Sequence, residues 1–193
     1  NWWSVLYLSS IKGAENMIEI RNVVKKYGDL TVVDQVSIEI QKRAITSFIG
    51  PNGAGKSTLM SIMSRLIEKD GGEVIIDGKE LSQWDSRELA KKISILKQSN
   101  HTNLRLTIRE LVSFGRFPYS QGNLTKEDWE HVDQAIAYME LTDIQNKYLH
   151  QLSGGQRQRA YIAMVIAQDT EYILLDEPLN NLDMKHSVEI MKI

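Results

Sequence analysis

The run Gly50-Pro51-Asn52-Gly53-Ala54-Gly55-Lys56-Ser57-Thr58 constrains the fold of this chain more than any other feature. It follows an apolar stretch at 44–49 that reads as a strand, and it precedes a stretch at 59–66 that reads as a helix. Glycine, four residues, glycine, lysine and a hydroxyl residue in that context form the P-loop pattern. The glycines let backbone amides turn inward around phosphate oxygens, and the new helix directs its positive end at the same point. Lys56 reaches the outer phosphates, and Ser57 is placed to ligate magnesium.

Further strands are predicted at 17–23, 36–40, 73–77, 93–96 and 172–175, the last three being short apolar runs of the buried kind. From about 100 to 166 the chain reads as helical. Thr107, followed by Glu110, is a capping-box start for a helix running to Phe114. A second helix over 126–139 places Trp129, Val132, Ala135, Ile136 and Met139 on one stripe, which faces a core. With 193 residues, 42% of them hydrophobic, the chain can bury one sizeable α/β core. A formal net charge of -2 offers no bulk attraction for nucleic acid. The absence of cysteine removes disulfide frameworks and thiolate clusters from consideration, and it fits a reducing compartment.

Phosphate loops serve kinases, GTPases and ATPases alike, so a second element must discriminate. Tyr172-Ile173-Leu174-Leu175-Asp176-Glu177 is an apolar strand ending in two acids. On its own such a pair is usually a solvated loop; downstream of a P-loop it reads as chemistry. Asp176 faces magnesium and its water shell, and Glu177 polarises an attacking water, so the pair implies hydrolysis.

Leu152-Ser153-Gly154-Gly155-Gln156, ahead of Arg157-Gln158-Arg159 and an apolar helical stretch at 160–167, reads as another helix-start phosphate cradle. In order and spacing these motifs resemble the ATP-binding cassette ATPases. The resemblance implies a P-loop NTPase core of the ABC type with an inserted α-helical subdomain at about 99–166, using ATP and Mg2+. It makes Gln98 the Q-loop residue that senses magnesium or the water, and Tyr27, just before Gly28, the ring that stacks on adenine. It makes 180–183 the D-loop. It further implies that Ser153, Gly154, Gly155 and Gln156 complete the site of a partner chain, in a head-to-tail homodimer beneath an integral membrane permease. A substrate-binding protein would act indirectly, and no nucleic acid would be bound. The chain would sit at the cytoplasmic face of the membrane as a peripheral subunit.

Two further runs, Phe114-Gly115-Arg116-Phe117-Pro118-Tyr119 and the residues 158–170, resemble iron-siderophore importer ATPases, with vitamin B12 and haem importers close by. The opposing class is a soluble cassette of DNA repair or translation, whose coiled-coil insertion or second cassette is not found in 17–193; a module that binds nucleotide without turnover is another alternative. The helical subdomain near Gln98 to Tyr119 is expected to face the permease, within reach of probes at Arg116 or Tyr119. Arg43, where glycine is common, and Asn180-Asn181 depart from the family pattern. Residues 1–16 are apolar, without a basic leader or cleavage site, and are expected to be a non-native or upstream leader before Met17. The cassette is expected to be incomplete at its C-terminus, short of a switch histidine, with His186 a helix-surface residue and turnover by this chain correspondingly low.

Overall fold

The computed structural model describes residues 4–7, 17–41, 44–98 and 104–177, divided between two compact units, Asn1–Ser86 and Arg87–Ile193. Arg43, the D-loop at 180–183 and His186 with its expected helix lie outside the described residues.

In the first unit, strand β1 (Ser4–Tyr7) lies within the segment expected to be a leader, and its backbone pairs antiparallel with β4 (Thr46–Ile49). Strands β2 (Met17–Tyr27) and β3 (Leu30–Gln41) form a long antiparallel hairpin, turned by Gly28 at φ 58°. The runs 17–23 and 36–40 are thus halves of longer strands. Lys25 and Lys26 bury nothing that an apolar pattern detects, yet cross-strand pairing with Val33 and Thr31 carries the ladder through them. On the other side of β2 lie β5 (Gly71–Ile76) and β6 (Lys79–Glu80), giving the order β3-β2-β5-β6. β5 is antiparallel and alternates, burying Val74 and Ile76, where a continuously buried run was expected. Helix α1 (Lys56–Met63) buries Leu59, Ile62 and Met63. It stops before the predicted 66 because Arg65 takes a left-handed φ of 57°. The Arg65 guanidinium donates to the carbonyls of Leu81 and Trp84 and to Ser86 Oγ.

Helix α2 (Ser86–Lys92) begins at the last residue of the first unit and leads into β7 (Ile93–Leu96) of the second, which runs parallel to β8 (Tyr172–Leu175). α2 escaped sequence reading because Leu89 is its one buried apolar side chain, too few for a stripe. The chain between β7 and β8 is helical, as expected: α3 (Ile108–Ser113), α4 (Phe117–Ser120), α5 (Lys126–Tyr138) and α6 (Gly154–Ala167). The Thr107–Glu110 capping box is formed. Ile108, Leu111 and Val112 of α3 share one core with Val132, Ala135 and Ile136 of α5 and with Ala160, Ile162 and Ala163 of α6. Trp129 is only partly buried, and the Arg109 guanidinium lies 4.7 Å from its ring centroid.

Arg116, one of two positions expected to be within reach of the permease, is 4% exposed and paired to Asp128 at 3.0 Å. The residue before it explains this burial. A Cβ on Gly115 would lie 2.2 Å from the Met164 carbonyl, so only glycine lets the turn after α3 rest on α6 and carry Arg116 inward. No described helix is long and apolar enough to cross a membrane.

Candidate active site

The loop between β4 and α1 is built by its glycines. Gly53 and Gly55 take φ values of 81° and 85°, a region that costs side-chain-bearing residues about 1 kcal/mol or more. At Gly55 space forbids a side chain as well, since a Cβ would meet the Val32 carbonyl of β3 at 2.5 Å. Gly55 is the N-cap of α1 and supplies no side-chain hydrogen bond, and the first turn holds no acid. The first-turn amides of α1 therefore keep their capacity to receive an anion. Lys56 Nζ donates to the carbonyls of Gly50 at 2.7 Å and Pro51 at 2.9 Å. Those bonds hold the ammonium back over the loop, where its third proton can serve a phosphate oxygen. The Ala54 amide donates to the Pro51 carbonyl at 3.2 Å, closing the turn, while Asn52 and Ser57 are exposed and Thr58 is half-buried. This cradle fits a polyphosphate. At the end of β2, Tyr27 is 52% exposed and offers an open ring.

The second unit assembles its own constellation at the carboxyl ends of β7 and β8. The parallel register sets Leu96 opposite Leu175, so the residues following each strand meet. The Asp176 amide donates to the Leu96 carbonyl at 2.9 Å, and the Asp176 side chain is buried. Gln98 Nε2 donates to Glu177 Oε2 at 2.7 Å. Glu177 is exposed and has a left-handed φ of 51°. The amide of Gln98 thus orients the carboxylate that sequence reading assigned as base.

Ser153 caps α6: its Oγ accepts from the Gln156 amide, and Gln156 Oε1 accepts from the Ser153 amide. The cap uses the Gln156 amide. The amides of Gly154 and Gly155, which have no intrahelical acceptor, are therefore the ones left to face an anion. Gln156, expected among the ligand-binding residues, here serves the cap that presents them. Among the described residues there is no group of three or more His, Cys, Asp or Glu able to hold a metal.

Sequence reasoning passed over the Arg116–Asp128 pair, and the signal that could have revealed it was Thr125, followed three residues later by Asp128. That spacing is a capping box, and the structure forms it with both side chains engaged.

Known proteins resemble this chain over most of its length. The ABC transporter family profile matches residues 33–180. The petrobactin import ATP-binding protein YclP of Bacillus subtilis (strain 168) is 72% identical over 177 residues, covering 92% of this chain and 70% of the relative. FatE of Bacillus anthracis, also a petrobactin import ATP-binding protein, is 53% identical over 91% of this chain and 70% of its own length. Among solved structures, a dimeric bacterial ABC transporter cassette superposes with a TM-score of 0.77 at 31% identity, over 91% of this chain and 80% of that one. The chain belongs to the ABC transporter family and is one of its ATP-hydrolysing cassettes.

Proposed function

We propose that this chain powers the import of a ferric siderophore, with petrobactin the first candidate cargo, from the cytoplasmic face of the membrane. The observation that carries this reading is the 72% identity to a petrobactin import ATP-binding protein across 92% of the chain. The chain would act as a homodimer beneath a permease, and the cargo would be chosen by the permease and its binding protein.

Lys56 and the loop Gly50, Pro51, Asn52, Gly53, Ala54, Gly55 hold the phosphates, with Ser57 and Thr58 at the opening of α1. Magnesium, bound by Ser57 and Asp176, would neutralise charge on the transferring phosphoryl group. Glu177 takes the proton of the attacking water at its carboxylate, which Gln98 orients. Tyr27 stacks on adenine, and Gly154 and Gly155 give their amides to the γ-phosphate held by the other protomer.

The permease contact is moved from Arg116 to its neighbours. Phe114 and Phe117 are 50% and 59% exposed, because Gly115 and Arg116 between them take the inward positions. Two exposed phenyl rings suit an apolar face of a permease helix.

The test is ATP hydrolysis by the transporter reconstituted in proteoliposomes with its binding protein. Ferric petrobactin should stimulate turnover and drive iron uptake. Stimulation by haem or cobalamin, with none by the ferric siderophore, would overturn the cargo assignment.

A further inference from the structure

A polar cluster sits at the end of the β2–β3 hairpin. Lys25 Nζ lies 5.5 Å from the Tyr27 ring centroid and 3.1 Å from Asp70 Oδ1. The other carboxylate oxygen, Asp70 Oδ2, accepts from the Lys26 amide at 2.6 Å, and the Asp70 amide donates to the Val24 carbonyl at 2.8 Å. The pairing of β2 with β3 shifts register between Val23 and Lys25 and again between Lys25 and Lys26. Such a bulge re-aims the side chains that follow it, and Asp70 supplies the acceptor for the Lys26 amide there. The Lys25 side chain is 13% exposed, so its ammonium is packed in place where a surface lysine would be solvated. The Lys26 amide and the Lys25 ammonium hold the Asp70 carboxyl below the ordinary carboxylate range despite the opposing effect of burial.

We propose that Lys25 and Asp70 are positioning residues for nucleotide binding, with Asp70 clamping the Lys25 ammonium against the Tyr27 ring so that the ring's opposite face receives the adenine. This rests on the reading of Tyr27 as the base-stacking residue. Stacked rings repel through their electron-rich faces, and a cation behind one ring offsets that repulsion. The clamp also fixes the hairpin end and reduces the ordering that binding requires.

The test compares ATP with inorganic tripolyphosphate, which carries the phosphates without the base, on the full chain. Lys25→Met, which keeps the aliphatic stem, and Asp70→Asn are each expected to weaken ATP binding about two- to fivefold. They should raise KM for ATP with kcat unchanged and leave tripolyphosphate affinity as it was. Lys25→Arg should restore ATP binding. Tyr27→Ala separates this proposal from the one beneath it. If Tyr27→Ala weakens ATP while Lys25→Met and Asp70→Asn do not, the clamp is refuted and the stacking role stands. If Tyr27→Ala leaves ATP affinity unchanged, the stacking role fails and the clamp with it. Equal loss of ATP and tripolyphosphate in Lys25→Met and Asp70→Asn would mean a general disturbance of the hairpin, and that too overturns the proposal.

Discussion

Glu177 combines an exposed carboxylate with a left-handed backbone, φ 51°, a conformation that costs a non-glycine residue about 1 kcal/mol or more. The bond from Gln98 fixes the oxygen it aims. Glu177→Gln is expected to keep ATP affinity while slowing phosphate release about 10²-fold or more, the scale of a lost general base. Unimpaired phosphate release in a steady-state assay would move the catalytic role elsewhere. Gly55 is the opposite case, a residue whose lack of a side chain is its contribution. Gly55→Ala would set a Cβ 2.5 Å from the Val32 carbonyl at a φ of 85°. Both nucleotide affinity and Tm are expected to fall; a calorimetric scan and a binding isotherm matching the parent would contradict the strained-loop account. The identity of both residues was legible from spacing. That Gln98 touches Glu177 was not, because 79 residues separate them and only the parallel register of β7 and β8 joins their ends.

At the scale of elements, the second unit is pinned by a buried ion pair. Arg116 Nε donates to Asp128 Oδ1 at 3.0 Å, and Arg116 Nη1 donates to the Ala167 carbonyl at 3.0 Å. A cation at the end of α6 meets the negative end of its dipole, and a carboxylate in the first turn of α5 meets a positive end. The two helices are thereby tied at one point. Removing one partner leaves a buried charge uncompensated, so Asp128→Ala is expected to destabilise the fold by about 3–5 kcal/mol in urea titrations. A loss below 1 kcal/mol would show the pair to be dispensable. Burial raises the Asp128 pKa, but the Thr125 amide and hydroxyl and Arg116 outweigh it, and the net shift is downward. A depressed carboxyl stabilises the fold above its unfolded pKa, and that contribution is lost as pH falls through the folded value. Acidification below about pH 4 should therefore cost the parent more stability than an Arg116→Met/Asp128→Leu double variant. Parallel stability curves for the two between pH 4 and pH 2 would disprove this contribution.

For the whole molecule, the split of the motifs into a loop with its own lysine and a separate signature cradle has a testable consequence. If Ser153, Gly154 and Gly155 act on the partner's nucleotide, Lys56→Ala and Gly154→Asp chains should each fail to hydrolyse ATP in the assembled transporter. A mixed dimer keeps one intact loop facing one intact cradle. Mixing the two variants should therefore restore measurable ATPase, and no recovery in verified mixed dimers would refute the shared site. The apolar pair on the second unit makes a separate prediction. Phe114→Ser with Phe117→Ser should leave basal ATPase near the parent value and reduce cargo-stimulated turnover, because both rings are already exposed and contribute little to the core. Equal stimulation of parent and variant would place the permease contact on another surface.

What the sequence by itself determined was the set of elements whose chemistry depends on neighbours in the chain. The phosphate loop, the two acids after β8, the helix start at Ser153 and the Thr107 capping box each act through residues within a few positions, so spacing alone suffices to find them. The paired apolar strands 93–96 and 172–175 belong here too, because buried parallel strands read as uninterrupted apolar runs. Only the tertiary structure decided which polar groups are buried. Arg116 stands between two exposed phenylalanines and is itself buried, because Gly115 permits a backbone approach that no local pattern encodes. Lys25 and Asp70, 45 residues apart, likewise become partners through the pairing of β2 with β5. Long-range polar contacts leave no periodic trace in a chain, since each needs one partner at one distance and no repeat announces it.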